Sequence, residues 1–236
     1  MARKVLFIVN DPVAPAGLLG EAFADNGFDV ETFEVVPWDR VDDPAVEVTF
    51  PDAAGYRVIV PLGARWPVYD DALRRSWVGA EIRLLHDAHR HGVAVLGVCF
   101  GGQLLAAAHG GSVTRSTAPE LGWCDLDTDD PALVPPGPWF QWHFDRWTLP
   151  PGATEISRNP QASQAFLLGR NLALQFHPEL DRALLLRWIA DDRDRDIETL
   201  DIDEGELITR TAELEDSARH RVHRLVRGFI ARVGGR

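Results

Sequence analysis

The sequence predicts an α/β domain: a doubly wound, mostly parallel sheet with an antiparallel β section attached and an amphipathic helix at the C-terminal end. Three observations carry that reading. Val5-Leu6-Phe7-Ile8-Val9 is a continuous apolar run, the mark of a strand buried on both faces. Strand-like and helix-like segments then alternate through residue 96, as crossovers onto a parallel sheet require. Beyond residue 112 the pattern changes to short β-type runs separated by Pro and Gly.

Taken in order, residues 18–26 place Leu18, Leu19, Ala22 and Phe23 at helical spacing, and Gly27 stops the helix. Residues 29–36 alternate as a second strand, 57–60 form a third and 93–96 a fourth. Between the last two, residues 77–91 carry Val78, Ile82, Leu85 and Ala88 on one helical face. The antiparallel section draws on 113–116, 122–126, 140–148, 165–168 and 172–176, with Pro135-Pro136-Gly137-Pro138 among the breakers. Residues 180–190 read as a helix. Residues 206–233 repeat apolar side chains near 3.6, giving a long amphipathic helix that must dock on something. The division expected is a domain over 1–190 and an acidic linker plus helix over 191–236.

Composition bounds the function. A net charge of −12 disfavours a nucleic-acid partner. Between residues 191 and 220 twelve Asp or Glu face four Arg, so the imbalance concentrates in one late segment, read as a solvated face or linker. Two cysteines, Cys99 and Cys124, are too few for a disulfide framework. No apolar stretch reaches membrane-span length, and the opening run is too short for a signal core. A cytoplasmic protein without a membrane partner is the expectation.

The sharpest feature is Gly97-Val98-Cys99-Phe100-Gly101-Gly102-Gln103, where a buried strand runs into a helix. This is the logic of a nucleophile elbow with Cys in place of Ser: the turn is too tight for side chains at the flanking positions. The nucleophile is forced into a strained conformation at the carboxyl edge of the sheet. Free N–H groups and the dipole of the following helix favour a thiolate there, and the Phe100 N–H can face a developing oxyanion. Attack on an amide also needs a proton carrier for the leaving nitrogen. A second apolar run ends in Phe176-His177-Pro178-Glu179. A bend at Pro178 would bring the Glu179 carboxylate to one ring nitrogen and leave the other for the sulfur.

The ordered pair of motifs resembles the class I glutamine amidotransferase family, with its G-x-C-x-G-x-Q elbow and its F-H-P-E segment. The similarity runs over about residues 5–190. The resemblance implies a flavodoxin-like sheet and a Cys99, His177, Glu179 triad that opens the γ-carboxamide of glutamine through a thioester, with no cofactor. It places Gly63, Gln103 and His143 against the substrate. It puts the oxyanion loop at Gly63-Ala64-Arg65, where the family usually shows Gly-Gly-Pro, with the Ala64 N–H as a main-chain donor beside that of Phe100. Trp142-His143-Phe144-Asp145 resembles the family's S-H-x-D segment.

Other groups read as structural. His86 with His89, and His220 with His223, lack the third and fourth groups that a metal needs. Cys124 has no elbow, Gly110-Gly111 stops a helix, and Trp139, Trp142 and Trp147 cluster near the expected pocket. Three functions remain open. One is a glutaminase that supplies ammonia to a synthase, another a stand-alone hydrolase of γ-glutamyl compounds, and the third a non-catalytic module on the same fold.

Overall fold

Five parallel strands form the spine of the molecule, a computed structural model that describes residues 3–233. The chain opens with β1 (Lys4–Val9), α1 (Gly17–Asp25), β2 (Asp29–Glu34) and β3 (Val58–Pro61). Next come α2 (Asp71–Arg75), α3 (Val78–Arg90), β4 (Ala94–Val98) and α4 (Phe100–Ala108). The middle supplies β5 (Val113–Asp125), β6 (Asp127–Thr128), β7 (Pro138–Trp147), β8 (Thr154–Arg158), β9 (Ser163–Leu168) and β10 (Asn171–Leu174). The chain closes with α5 (Arg182–Ala190), α6 (Asp196–Thr199) and α7 (Glu204–Val233). The main sheet has the order β2-β1-β3-β4-β10-β9-β8-β6. Its parallel part, β2 through β10, follows the flavodoxin-like order.

Residues 172–176, expected in the antiparallel section, supply β10, which is parallel to β4 and antiparallel to β9. A single strand thus closes the parallel spine and begins the antiparallel wing. The runs at 113–116 and 122–126 are halves of one strand, β5, which pairs with β7 in a separate ribbon. Its register shifts between Arg115 and Glu120, a stretch that holds Pro119, which has no N–H to donate to the ladder. β6, β8, α2 and α6 are too short or too polar for periodicity to reveal them.

Alternation along β1 sets the two cores. Val5, Phe7 and Val9 enter one, with Leu18, Leu19 and Phe23 of α1; Leu6 and Ile8 enter the other, with Leu84 and Leu85 of α3 and Leu104 and Leu105 of α4. Both faces of the sheet are covered, which explains the unbroken apolar run in β1. Helix α7 packs back on the molecule: Val222, Leu225, Val226 and Phe229 join the core of β1 and α1, and Phe229 meets Phe23 edge-on at 6.5 Å. Among the described residues no helix is long and apolar enough to cross a membrane.

Candidate active site

Cys99 sits between β4 and α4 with φ 49° and ψ −108°, a conformation that L side chains rarely adopt. The reason lies in its neighbours. A Cβ on Gly97 would lie 2.5 Å from the Gly101 carbonyl oxygen, and one on Gly101 would lie 2.0 Å from that of Pro61. Helix α4 thus starts hard against the strands, and the chain must turn at Cys99 itself. The Cys99 N–H donates to the Leu174 carbonyl at 2.7 Å, fixing the turn to the end of β10.

Three residues beyond Leu174, the end of that strand, the chain reaches His177. The His177 N–H donates to the Phe140 carbonyl at 2.8 Å, and its Nδ1 lies 2.8 Å from Glu179 Oε1. The Nε2 therefore faces the sulfur. His177 Nε2 and Cys99 Sγ converge on one acceptor, the Trp142 carbonyl, at 3.4 and 3.9 Å. Burial works to lower the His177 pKa. The Glu179 charge, then that of Cys99, and hydrogen bonds to both outweigh it and hold the imidazole well above its ordinary range. The Trp188 ring meets the imidazole edge-on at 4.9 Å, and Trp188 Nε1 donates to the Val13 carbonyl at 3.0 Å. Glu179 is fully buried, and its own carbonyl accepts the Leu18 N–H at 3.0 Å where α1 begins. Gly17 has φ 45° there because a Cβ would strike that carbonyl at 2.2 Å.

A cavity of about 480 Å³ opens onto this group. Gly63 and Ala64 line it, and a Cβ on Gly63 would meet His177 Cε1 at 3.1 Å, so the loop lies directly against the His177 ring. Phe100 begins α4, and its ring is buried against Trp77 at 5.7 Å. Gln103 also lines the cavity, with its Nε2 donating to the Asp145 carbonyl at 3.3 Å. His143 lines it too, but both ring nitrogens face protein: Nδ1 lies 3.1 Å from the Asp145 carbonyl and Nε2 3.2 Å from Glu120 Oε2. Of the eight residues expected at the site, Gly63, Ala64, Cys99, Gln103, His143 and His177 line the cavity, while Phe100 follows Cys99 in the chain and Glu179 lies behind His177.

The structure adds residues that the sequence reading missed. The segment 191–199, read as solvated linker, instead walls the cavity: Asp191 pairs with Arg65, and Asp196 accepts from Trp142 Nε1 at 2.7 Å. Asp11 is 1% exposed and holds Arg65. These contacts join positions far apart in the chain, so no local pattern announces them. Of the three clustered tryptophans, Trp142 alone lines the cavity. Trp139 packs on Phe176 at 4.6 Å and Trp147 on Phe166 at 5.3 Å, both in the interior. His86 and His89 lie against the His109 ring, at 5.9 and 4.7 Å. Cys124 is half-buried, and burial followed by the nearby Glu120 and Asp125 charges pushes its thiol up to about 11.

Known proteins resemble this chain in sequence or in fold. Glutamine-hydrolysing GMP synthase from Aeropyrum pernix is 31% identical over 170 residues, covering 66% of this chain and 31% of that protein. The chain thus spans about a third or less of the curated relatives it matches first. A glutamine amidotransferase from Thermotoga maritima has the same fold, with a TM-score of 0.83 at 23% identity, over 98% of this chain and 99% of that one. A glutamine amidotransferase from Methylobacillus flagellatus superposes with a TM-score of 0.78 at 23% identity, over 97% and 96%. The family described as glutamine amidotransferase class-I matches residues 21–183, well over half of the sequence. The chain belongs to the class-I glutamine amidotransferase family.

Proposed function

We propose that this chain hydrolyses the γ-amide of glutamine to glutamate and ammonia. Cys99 attacks the amide carbon, and the Ala64 and Phe100 N–H groups stabilise the oxyanion. His177 protonates the departing nitrogen, which leaves as ammonia and a glutamyl thioester remains. Water, deprotonated by His177, then attacks the thioester, releasing glutamate and restoring the thiol. Glu179 orients the ring and offsets its charge. The carrying observation is the 2.8 Å Glu179–His177 contact beside a sulfur held at a strained elbow. Gln103 and Gly63 border the substrate. His143, with Nδ1 at the Asp145 carbonyl and Nε2 beside the Glu120 carboxylate, shapes the pocket around it. Arg115 borders the cavity over the Phe144 ring at 4.5 Å, with no carboxylate paired to it among the described residues. It suits an α-carboxylate, and the buried Asp145 with Tyr69 suits an α-ammonium.

We further infer that residues 1–190 are the catalytic domain, that 191–236 are an extension folded back on it, and that the ammonia passes to a synthase. The names of the curated relatives support the last step. A second reading, a stand-alone γ-glutamyl amide hydrolase, is favoured by the 480 Å³ cavity, a volume typical of ligands larger than one amino acid. Ammonia release by the isolated chain on glutamine and on a panel of γ-glutamyl amides separates the two. Preference for glutamine supports the first and preference for a bulkier amide the second. Release from none of them, with Cys99 inert to a glutamine-like chloroketone, contradicts both and leaves a non-catalytic module.

A further inference from the structure

The loop that carries Ala64 is held from both sides. On its N-terminal side the Leu62 N–H donates to the Ile8 carbonyl at 3.0 Å, and the Leu62 carbonyl accepts from Asn10 Nδ2 at 3.2 Å. On its C-terminal side Arg65 grips Asp11 with three donors: the backbone N–H to Oδ2 at 3.4 Å, Nε to Oδ2 at 2.7 Å and Nη2 to Oδ1 at 3.2 Å. Nη2 also reaches Asp191 Oδ2 at 2.5 Å. Asp11 is almost wholly buried, and Arg65 and Asp191 side chains are 17% and 19% exposed, so water screens this trio weakly. Between the two anchored flanks hang Gly63 and Ala64, with Gly63 against the His177 ring.

We propose that Arg65 is a positioning residue: clamped between Asp11 and Asp191, it fixes the Gly63–Ala64 peptide in its oxyanion-binding orientation within the chain alone. This rests on the proposed amide hydrolysis. The planar guanidinium meets one carboxylate through two nitrogens and a second carboxylate through one of them, a fork that a lysine ammonium cannot reproduce. Gly63 allows the peptide to turn, and its anchored neighbours remove that freedom before substrate arrives. The same clamp ties the catalytic loop to the start of the acidic segment, because Asp191 follows directly on α5. Any movement of 191–199 is therefore felt at Ala64.

The test compares glutamine hydrolysis by the intact wild-type chain with Arg65→Ala, Arg65→Lys and Asp191→Asn. Arg65→Ala is expected to lower kcat about 10- to 100-fold with KM changed less than about 3-fold, since the oxyanion forms only in the transition state. Arg65→Lys should recover part of the loss. Asp191→Asn keeps the Asp11 contacts and should cost only a few-fold. Amide hydrogen exchange at Ala64 and Arg65 provides a readout that does not need turnover: Arg65→Ala should speed it while the β4 amides stay protected. An unchanged kcat and unchanged exchange in Arg65→Ala would overturn the proposal, as would a loss confined to KM. If the wild type hydrolyses no γ-amide, the functional reading fails, and exchange alone still decides whether Arg65 orders the loop.

Discussion

The two halves of the site are built by different means. Cys99 and His177 stand at the ends of adjacent parallel strands, β4 and β10, and each has a local partner in the sequence beside its longer-range contacts: elbow glycines for one, Glu179 for the other. The opposite wall, formed by Ala64, Arg65 and the segment 191–199, is irregular and held by ion pairs among Asp11, Arg65 and Asp191. The strand ends set Cys99 and His177 through sterics and backbone hydrogen bonds. The wall depends on charges brought together only by the complete fold. Substitutions at the strand ends should therefore cost chemistry outright, and those in the wall should cost it by degrees.

The largest effect is expected at the strand ends. Cys99→Ala or Cys99→Ser should reduce glutamine hydrolysis by about 10⁴-fold or more, and His177→Ala nearly as much, in a steady-state ammonia assay. Glu179→Ala should lose on the order of tenfold less than His177→Ala, because it orients the base without touching the substrate. A Cys99→Ser variant with wild-type turnover would remove Cys99 as the nucleophile.

A second way to separate the regions is stability. Gly101→Ala places a Cβ 2.0 Å from the Pro61 carbonyl oxygen, so backbone must shift. Overpacking of this kind costs about 1–3 kcal/mol, here toward the upper end, and the urea midpoint should fall accordingly. An unmoved midpoint would mean that the elbow is looser than its geometry states.

Beneath the wall lies a buried carboxyl whose effect depends on pH. Burial pushes Glu81 up to about 8, against a smaller opposing effect of its hydrogen bond from Asn10, which in turn holds the Leu62 carbonyl beside Gly63. With its folded pKa above the ordinary 4.5, Glu81 contributes fully below about pH 4.5 and loses that contribution as pH rises to about 8. Glu81→Gln does not titrate. Its stability relative to the wild type should therefore rise across that window, reaching on the order of a few kcal/mol by pH 8. Denaturation curves at pH 4.5, 6 and 8 check this, and parallel profiles would contradict it.

The contrast also explains what could be read from the residues in order. The apolar run 5–9, the elbow around Cys99 and the Phe176-His177-Pro178-Glu179 segment carry their own geometry, because the constraint lies within a few positions. They predict the parallel spine and single out Cys99, His177 and Glu179 as the proposed triad. The pairing of β10 with β4 rather than only with β9 is not visible, since an apolar run of four residues suits either partner. The 191–199 segment looks like solvated charge because its acids are identical in sequence to those of a linker. Arg65 and Trp142, its partners in the fold, lie well over a hundred and some fifty residues away.

The central claim, that Cys99 opens a γ-amide under His177 and Glu179, is tested most directly by acid-quenching the isolated chain during glutamine turnover and mapping its peptides by mass. The account predicts a glutamyl thioester on the Cys99 peptide, absent in Cys99→Ala. Ammonia release with no adduct on Cys99, or with the adduct on Cys124, would contradict it.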